Sequence, residues 1–305
     1  MPNLPVFSTI GQAMAVFGLH IGALSKWALI PFFLSAAALG AAFGLGLWLQ
    51  PPGGAGFPYW WMGFLPAAIF CLVAWTPYAI RVNQLAVAGR VEPVGYLETM
   101  FSSVGLRYLA YAIIVGFIQL AGIAISALPV LLVAHSGTQD GNSSRVVLAV
   151  ALTVVLVLAF FILTSPLNLV YPAAALEREP SLGRAYNLGA HRKLRLFACV
   201  FLTAALFGVL GQVVEFAASA MGAQKSGMVR LAFVPVQILL SFFSYVTATA
   251  VPAVAYRILA GLPDPRGAEP VPGNQPSGTS GSSGTPAVRN AAPDEPGDFP
   301  GTGGA

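Results

Sequence analysis

Charge is what this sequence has least of. Asp, Glu, Lys and Arg make up 9% of its 305 residues, against 56% hydrophobic residues. Soluble globular chains are about a quarter charged, so an ordinary water-soluble domain is excluded. Cysteine is nearly missing too: Cys71 and Cys199 both lie inside apolar runs. That excludes a disulfide framework and a C-x-x-C metal site, and leaves two small hydrophobes. No H-E-x-x-H, G-x-S-x-G, phosphate-cradling glycine loop or dinucleotide fingerprint occurs. The three histidines, His20, His135 and His191, read as interfacial polar residues rather than ligands. No catalytic residue, metal site or cofactor is therefore expected. Nor does the pI near 9.2 point to nucleic acid. The basic residues stand at the edges of apolar runs, where a membrane protein keeps them.

What is present is long apolar sequence, with a mean hydropathy of +0.76. No charged residue interrupts 27–80, 108–139, 146–176, 196–214 or 231–256. A spanning helix needs about 20 apolar residues. The first run is too long for one helix, and the Pro- and Gly-rich segment from Gln50 to Pro58 divides it. Six spans follow, near 26–49, 60–82, 107–133, 146–171, 195–218 and 229–256. Unbroken apolar runs such as Val146–Phe161 exclude barrel strands, which alternate apolar and polar residues. The fold class is all-α membrane protein. The first span is expected to be retained, because no positive charge precedes Lys26 and the run to Leu49 is too long for a signal peptide.

The polar segments between spans repeat. Ser8-Thr9-Ile10-Gly11, Glu92-Pro93-Val94-Gly95 and Pro180-Ser181-Leu182-Gly183 each precede a pair of spans. Ser8 or Thr9 can cap a helix, and Pro93 and Pro180 suit a first turn. Apolar stripes follow at helical spacing: Ile10, Met14, Phe17, Ile21 and Leu24, then Val94, Leu97, Phe101 and Val104, then more weakly Leu182, Ala185 and Leu188. Each reads as a short helix lying at the bilayer surface. The expectation is three parallel helix-pair repeats near 8–88, 92–176 and 180–260, each introduced by a short cytoplasmic interfacial helix. In the second spans, Thr76-Pro77 and Ser165-Pro166 suggest either packing kinks or hinges around a binding site. The Gly-, Pro- and Ser-rich tail over 261–305 should be disordered, and is a candidate for recruiting a protein partner.

Twelve of the 15 Lys and Arg fall on the side carrying the N-terminus, against Arg145, Lys225 and Arg230 on the other. The positive-inside rule then makes both termini cytoplasmic. Arg107, Arg184, Arg192, Lys193 and Arg195 form a juxtamembrane basic cluster, a candidate contact for anionic lipid beside its role in topology. Glu215 and Arg230 flank the last outer loop and are a candidate interfacial ion pair. Gln119, Asn168, Gln212 and Gln237 fall within spans, with Asn83 and Gln84 at an inner edge, where polar groups raise a functional question by default.

Tyr171-Pro172-Ala173-Ala174-Ala175-Leu176-Glu177, then Pro180-Ser181-Leu182-Gly183-Arg184-Ala185-Tyr186, then His191-Arg192-Lys193 carry a resemblance. They resemble the signature loop of a bacterial superfamily, the six-span membrane domain attached to some glycerophosphodiester phosphodiesterases and its stand-alone relatives. The motifs are degenerate and cover most of 1–260. The chain has no counterpart of the soluble phosphodiesterase domain, so the resemblance implies a membrane domain without that activity. The leading expectation is a non-enzymatic scaffold or accessory factor of the bacterial cytoplasmic membrane, in contact with membrane lipids. The alternative is a transporter or channel for a small or lipid-like solute.

Overall fold

The computed structural model describes residues 4–48, 60–91, 93–135, 143–176, 180–222 and 227–265. Several features discussed above lie outside them: Leu49 and the segment from Gln50 to Pro58, Glu92, Glu177, Lys225, and the tail from residue 266 onward. Among the described residues every regular element is helical. Six stretches are long and apolar enough to cross a membrane: Val6–Gly46, Gly63–Ala88, Ser103–Ser126, Ser144–Ala175, Leu182–Ala220 and Gly227–Leu259. Each overlaps one of the six expected spans, although the first and fifth begin well before residues 26 and 195 and the third ends before residue 133.

The helices are α1 (Val6–Trp48), α2 (Trp60–Ala88), α3 (Tyr96–Phe101), α4 (Ser103–Ser126), α5 (Leu128–His135), α6 (Ser143–Thr164), α7 (Val170–Ala175), α8 (Leu182–Gly189), α9 (Lys193–Ala220) and α10 (Gly227–Leu259). Helix α1 is bent where His20 leaves helical geometry, at φ −121° and ψ 19°. Arg192, the residue before α9, adopts nearly the same conformation, at φ −130° and ψ 19°. Ser102 separates α3 from α4 in an extended conformation, and its hydroxyl caps α4 by accepting from the Gly105 amide. The third span breaks at Ala127, just before Pro129, whose ring cannot donate to the preceding turn.

Prolines 31, 66, 77, 235 and 252 leave their helices continuous. Pro166 does not. There α6 tightens into a 3₁₀ turn over Ser165–Leu169 before α7 resumes. Proline has no amide to offer the carbonyl four residues back, at Ile162. The neighbouring Ser165 hydroxyl takes that place, 2.9 Å from the Ile162 carbonyl, with the Lys193 carbonyl also near at 3.0 Å.

Burial concentrates at one end of the bundle, where α1 begins and α2, α7 and α10 finish. Tyr78, Val82 and Ala86 of α2, Val170 and Ala173 of α7, and Ala250, Val254 and Ala255 of α10 share one core. Lipid tails are as apolar as leucine, so helix association in a bilayer depends on close packing, which alanine permits. The start of α1 joins this core through Ala13, Val16, Phe17 and Leu24. Its Phe17 ring lies 3.8 Å from that of Phe243 in α10.

The buried face of α1 differs from the expected stripe. Thr9, Ala13 and Val16 turn inward with Phe17 and Leu24, whereas Ile21 is exposed and Ile10 and Met14 are only half-buried. Helix α3 likewise turns Leu97 and Phe101 outward and buries Thr99. On both helices small residues such as Ala13 and Thr99 allow close approach on the packed side, where on α1 they are joined by Phe17 and Leu24.

Candidate functional site

The segment before α8 is fixed by two hydrogen bonds. Tyr111 of α4 donates its hydroxyl to the Pro180 carbonyl at 2.6 Å. Ser181 caps α8, accepting from the Arg184 amide at 3.1 Å. Arg107 lies one turn before Tyr111 on the same face of α4. Arg107 and Arg184 thereby meet around one cleft of about 460 Å³, lined also by Tyr111, Pro180 and Ser181. Arg184 borders a second cleft, of about 480 Å³, lined by Asn187 and Leu188 of α8 together with Ala173 of α7 and Tyr256 of α10.

Two of the five candidate lipid-contact residues are therefore brought together. The others are placed differently. Lys193 donates to the Tyr186 hydroxyl, and its ammonium stands 4.5 Å from that ring's centre. Arg192 ends the short 3₁₀ turn before α9, and Arg195 lies in α9's first turn. Glu215 accepts from Gln237 Nε2 at 3.1 Å, so the carboxylate meets an amide of α10. Among the described residues it makes no ion pair with Arg230.

A third arrangement went unanticipated in the sequence, where Arg257 counted only toward sidedness. Arg257 is buried in the last turn of α10. It donates to the Ala86 carbonyl at 3.2 Å and to Gln12 Oε1 at 2.6 Å, and it pairs with Asp264 at 3.4 Å. Ala86 lies in the last turn of α2, whose carbonyls have no partner within the helix. One guanidinium thus joins α1, α2 and the chain beyond α10. The only available signal was an arginine directly after a long charge-free run.

Near this latch, polar side chains bond inward. Asn83 donates from Nδ2 to the Ala79 carbonyl at 2.8 Å and to the Tyr108 hydroxyl at 3.3 Å. Gln84 reaches the Ala175 carbonyl at 3.2 Å. Arg81 donates to the Val94 carbonyl at 2.6 Å and lies over the Trp27 ring at 5.3 Å. Tyr96 of α3 donates to the Ala74 carbonyl. Burial pushes its phenol up to about 12, against the opposing pull of Arg81. Trp75, Tyr78 and Tyr245 stack edge to face, with Trp75 5.4 Å from Tyr78 and 4.9 Å from Tyr245. Tyr78 Oη and Asn83 Oδ1 are buried without a hydrogen-bond partner among the described residues.

The described carboxylates are Glu98, Glu215 and Asp264, and they stand on α3, on α9 and beyond α10. No group of three His, Cys, Asp or Glu side chains among the described residues could hold a metal. Gln212, one of the intramembrane amides, lines a shallow apolar groove of about 620 Å³ along α9 with Gly208 and Phe216. Comparison with protein-family models, curated proteins and solved structures finds no match.

Proposed function

We propose that this chain is a non-enzymatic integral membrane protein, serving as a scaffold or accessory factor in the bacterial cytoplasmic membrane. The observation that carries this reading is the shared core at the near ends of α2, α7 and α10. That core is filled by side chains, Arg257 and Gln84 direct their donors to backbone carbonyls of other helices, and Asn83 donates to the Tyr108 hydroxyl of α4. Such bonding serves to hold helices together. The charge distribution supports placing both termini in the cytoplasm. The resemblance to phosphodiesterase-linked membrane domains belongs to the same reading and rests on the sequence motifs alone.

The three-module architecture is part of the proposal. It is supported by the matching backbone breaks at His20 and Arg192, each nine residues after its aligned glycine. Helix α2 and helix α10 also both stop at a left-handed glycine, Gly89 at φ 67° and Gly261 at φ 66°. The outward Leu97, Phe101 and Phe7 favour helices that touch lipid from the interface.

Affinity purification of the full chain from native membrane, with copurifying proteins and lipids identified, tests the scaffold reading. A stable, stoichiometric protein partner is expected. A second reading, as a transporter or channel, draws on the unpartnered Tyr78 Oη and Asn83 Oδ1, since buried polar groups normally find a partner. Solute flux in vesicles reconstituted with the pure chain would establish that reading and displace the first.

A further inference from the structure

We propose that the cleft between α4 and α8 is a binding site for a phosphate group carried by a lipid headgroup. Arg107 and Arg184 come from different repeats, and the Tyr111–Pro180 hydrogen bond holds them at one cleft. Among the described residues neither guanidinium has an ion-pair or hydrogen-bond partner, although both side chains are exposed. Two positive charges at one cleft, with no ion-pair partner among the described residues, favour an anion. Arginine's planar fork favours phosphate, which it can grip through two parallel hydrogen bonds. A cleft of about 460 Å³ falls within the usual range for small-molecule sites.

Lipid is the favoured source because of where the cleft opens. Arg107 stands near the start of a helix long and apolar enough to cross a membrane. Two turns further along the same face of α4, Ile114 is exposed. A headgroup between the arginines could therefore lay its chains along α4. Lys193 is held by Tyr186 and Arg257 by Gln12 and Asp264, which sets Arg107 and Arg184 apart from those neighbouring cations. The site stands whether the bundle serves as scaffold or as channel.

The test uses the full chain in neutral detergent, titrated with phosphatidic acid and followed by native mass spectrometry. Arg107→Gln and Arg184→Gln should each weaken binding about five-fold, and the double variant about 25-fold, from the usual contribution of one basic residue at a lipid surface. Arg230→Gln, at the opposite end of the bundle, should leave binding unchanged. Inorganic phosphate as competitor separates the two sources. Displacement means that the phosphate group suffices, and failure to displace means that the acyl chains take part. If the double variant binds as the wild type does, or if Arg230→Gln weakens binding equally, the proposal is overturned. Should the glutamine variants fail to fold, photo-crosslinking of a phosphatidic acid probe to the wild-type chain decides. Label on peptides carrying Arg107 or Arg184 supports the site, and label confined to other peptides overturns it.

Discussion

Arg257 and Gln12 stand 2.6 Å apart, joining the last turn of the last described helix to the first turns of the first. The same guanidinium reaches the Ala86 carbonyl and Asp264. A hydrogen bond to a charged group contributes about 1.5–3 kcal/mol. Arg257→Met should therefore destabilise the purified chain by about 3 kcal/mol or more, read as lost thermal stability in detergent. Gln12→Ala should cost about half of that. Asp264→Asn should cost under about 1 kcal/mol, since its carboxylate is 43% exposed. Equal effects from all three would mean that the latch does not hold the helices together.

The two left-handed glycines offer a controlled comparison. A Cβ at Gly89 would stand 2.5 Å from Pro265 Cβ, whereas one at Gly261 would meet nothing within 4 Å. Both substitutions carry the left-handed cost of roughly 1–2 kcal/mol. Gly261→Ala should show that cost alone. Gly89→Ala should show it together with displacement of Pro265, and so fall below Gly261→Ala in unfolding temperature.

Ser165 and Pro166 make a cycle. Ser165→Ala leaves the Ile162 carbonyl without its hydroxyl donor and should cost about 1–3 kcal/mol. Pro166→Ala restores a backbone amide that can serve that carbonyl. In the Pro166→Ala background, Ser165→Ala should therefore cost much less. Additive effects in a stability measurement would show that the serine acts elsewhere, for instance through its contact with the Lys193 carbonyl.

Tyr96 predicts an alkaline sensitivity. Its folded-state phenol lies at about 12, above the ordinary 10.0, with burial as the leading cause. A group raised on folding stabilises fully below its unfolded value, and that stability is lost as pH rises through the folded one. Unfolding should thus become easier between about pH 10 and pH 12. Tyr96→Phe should flatten the change across that window, with the remaining slope belonging to other groups.

The spans were legible because charge-free runs leave a bilayer-length helix as the simplest reading, and the structure has all six helices. Thr76-Pro77 and Ser165-Pro166 suggested packing kinks or hinges; the helix tightens into a 3₁₀ turn at Pro166, whereas α2 runs on through Pro77. The buried side of α1 was not legible. In water, Ile10, Met14 and Ile21 would mark the inward face. Where large apolar residues also have a favourable place outside the protein, Thr9 and Ala13 turn inward instead. The cleft was half legible: Arg107 and Arg184 stood out as juxtamembrane cations, but nothing local tied Tyr111 to Pro180. Arg257 was hidden for a similar reason. Its partners, Gln12 and Ala86, are distant in sequence, and a single cation at a helix end reads first as a topological marker.

The Arg257 latch also sets the order in which the bundle can be completed. The beginning of α1 leaves the ribosome before α10, but its buried face rests on Phe243 and its Gln12 on Arg257, both in α10. Until α10 has been made and inserted, Ala13, Phe17 and Gln12 have no final place to go. A helix made well before α10 is then among the last to settle, and a truncation that removes α10 would strip α1 of its seat as well.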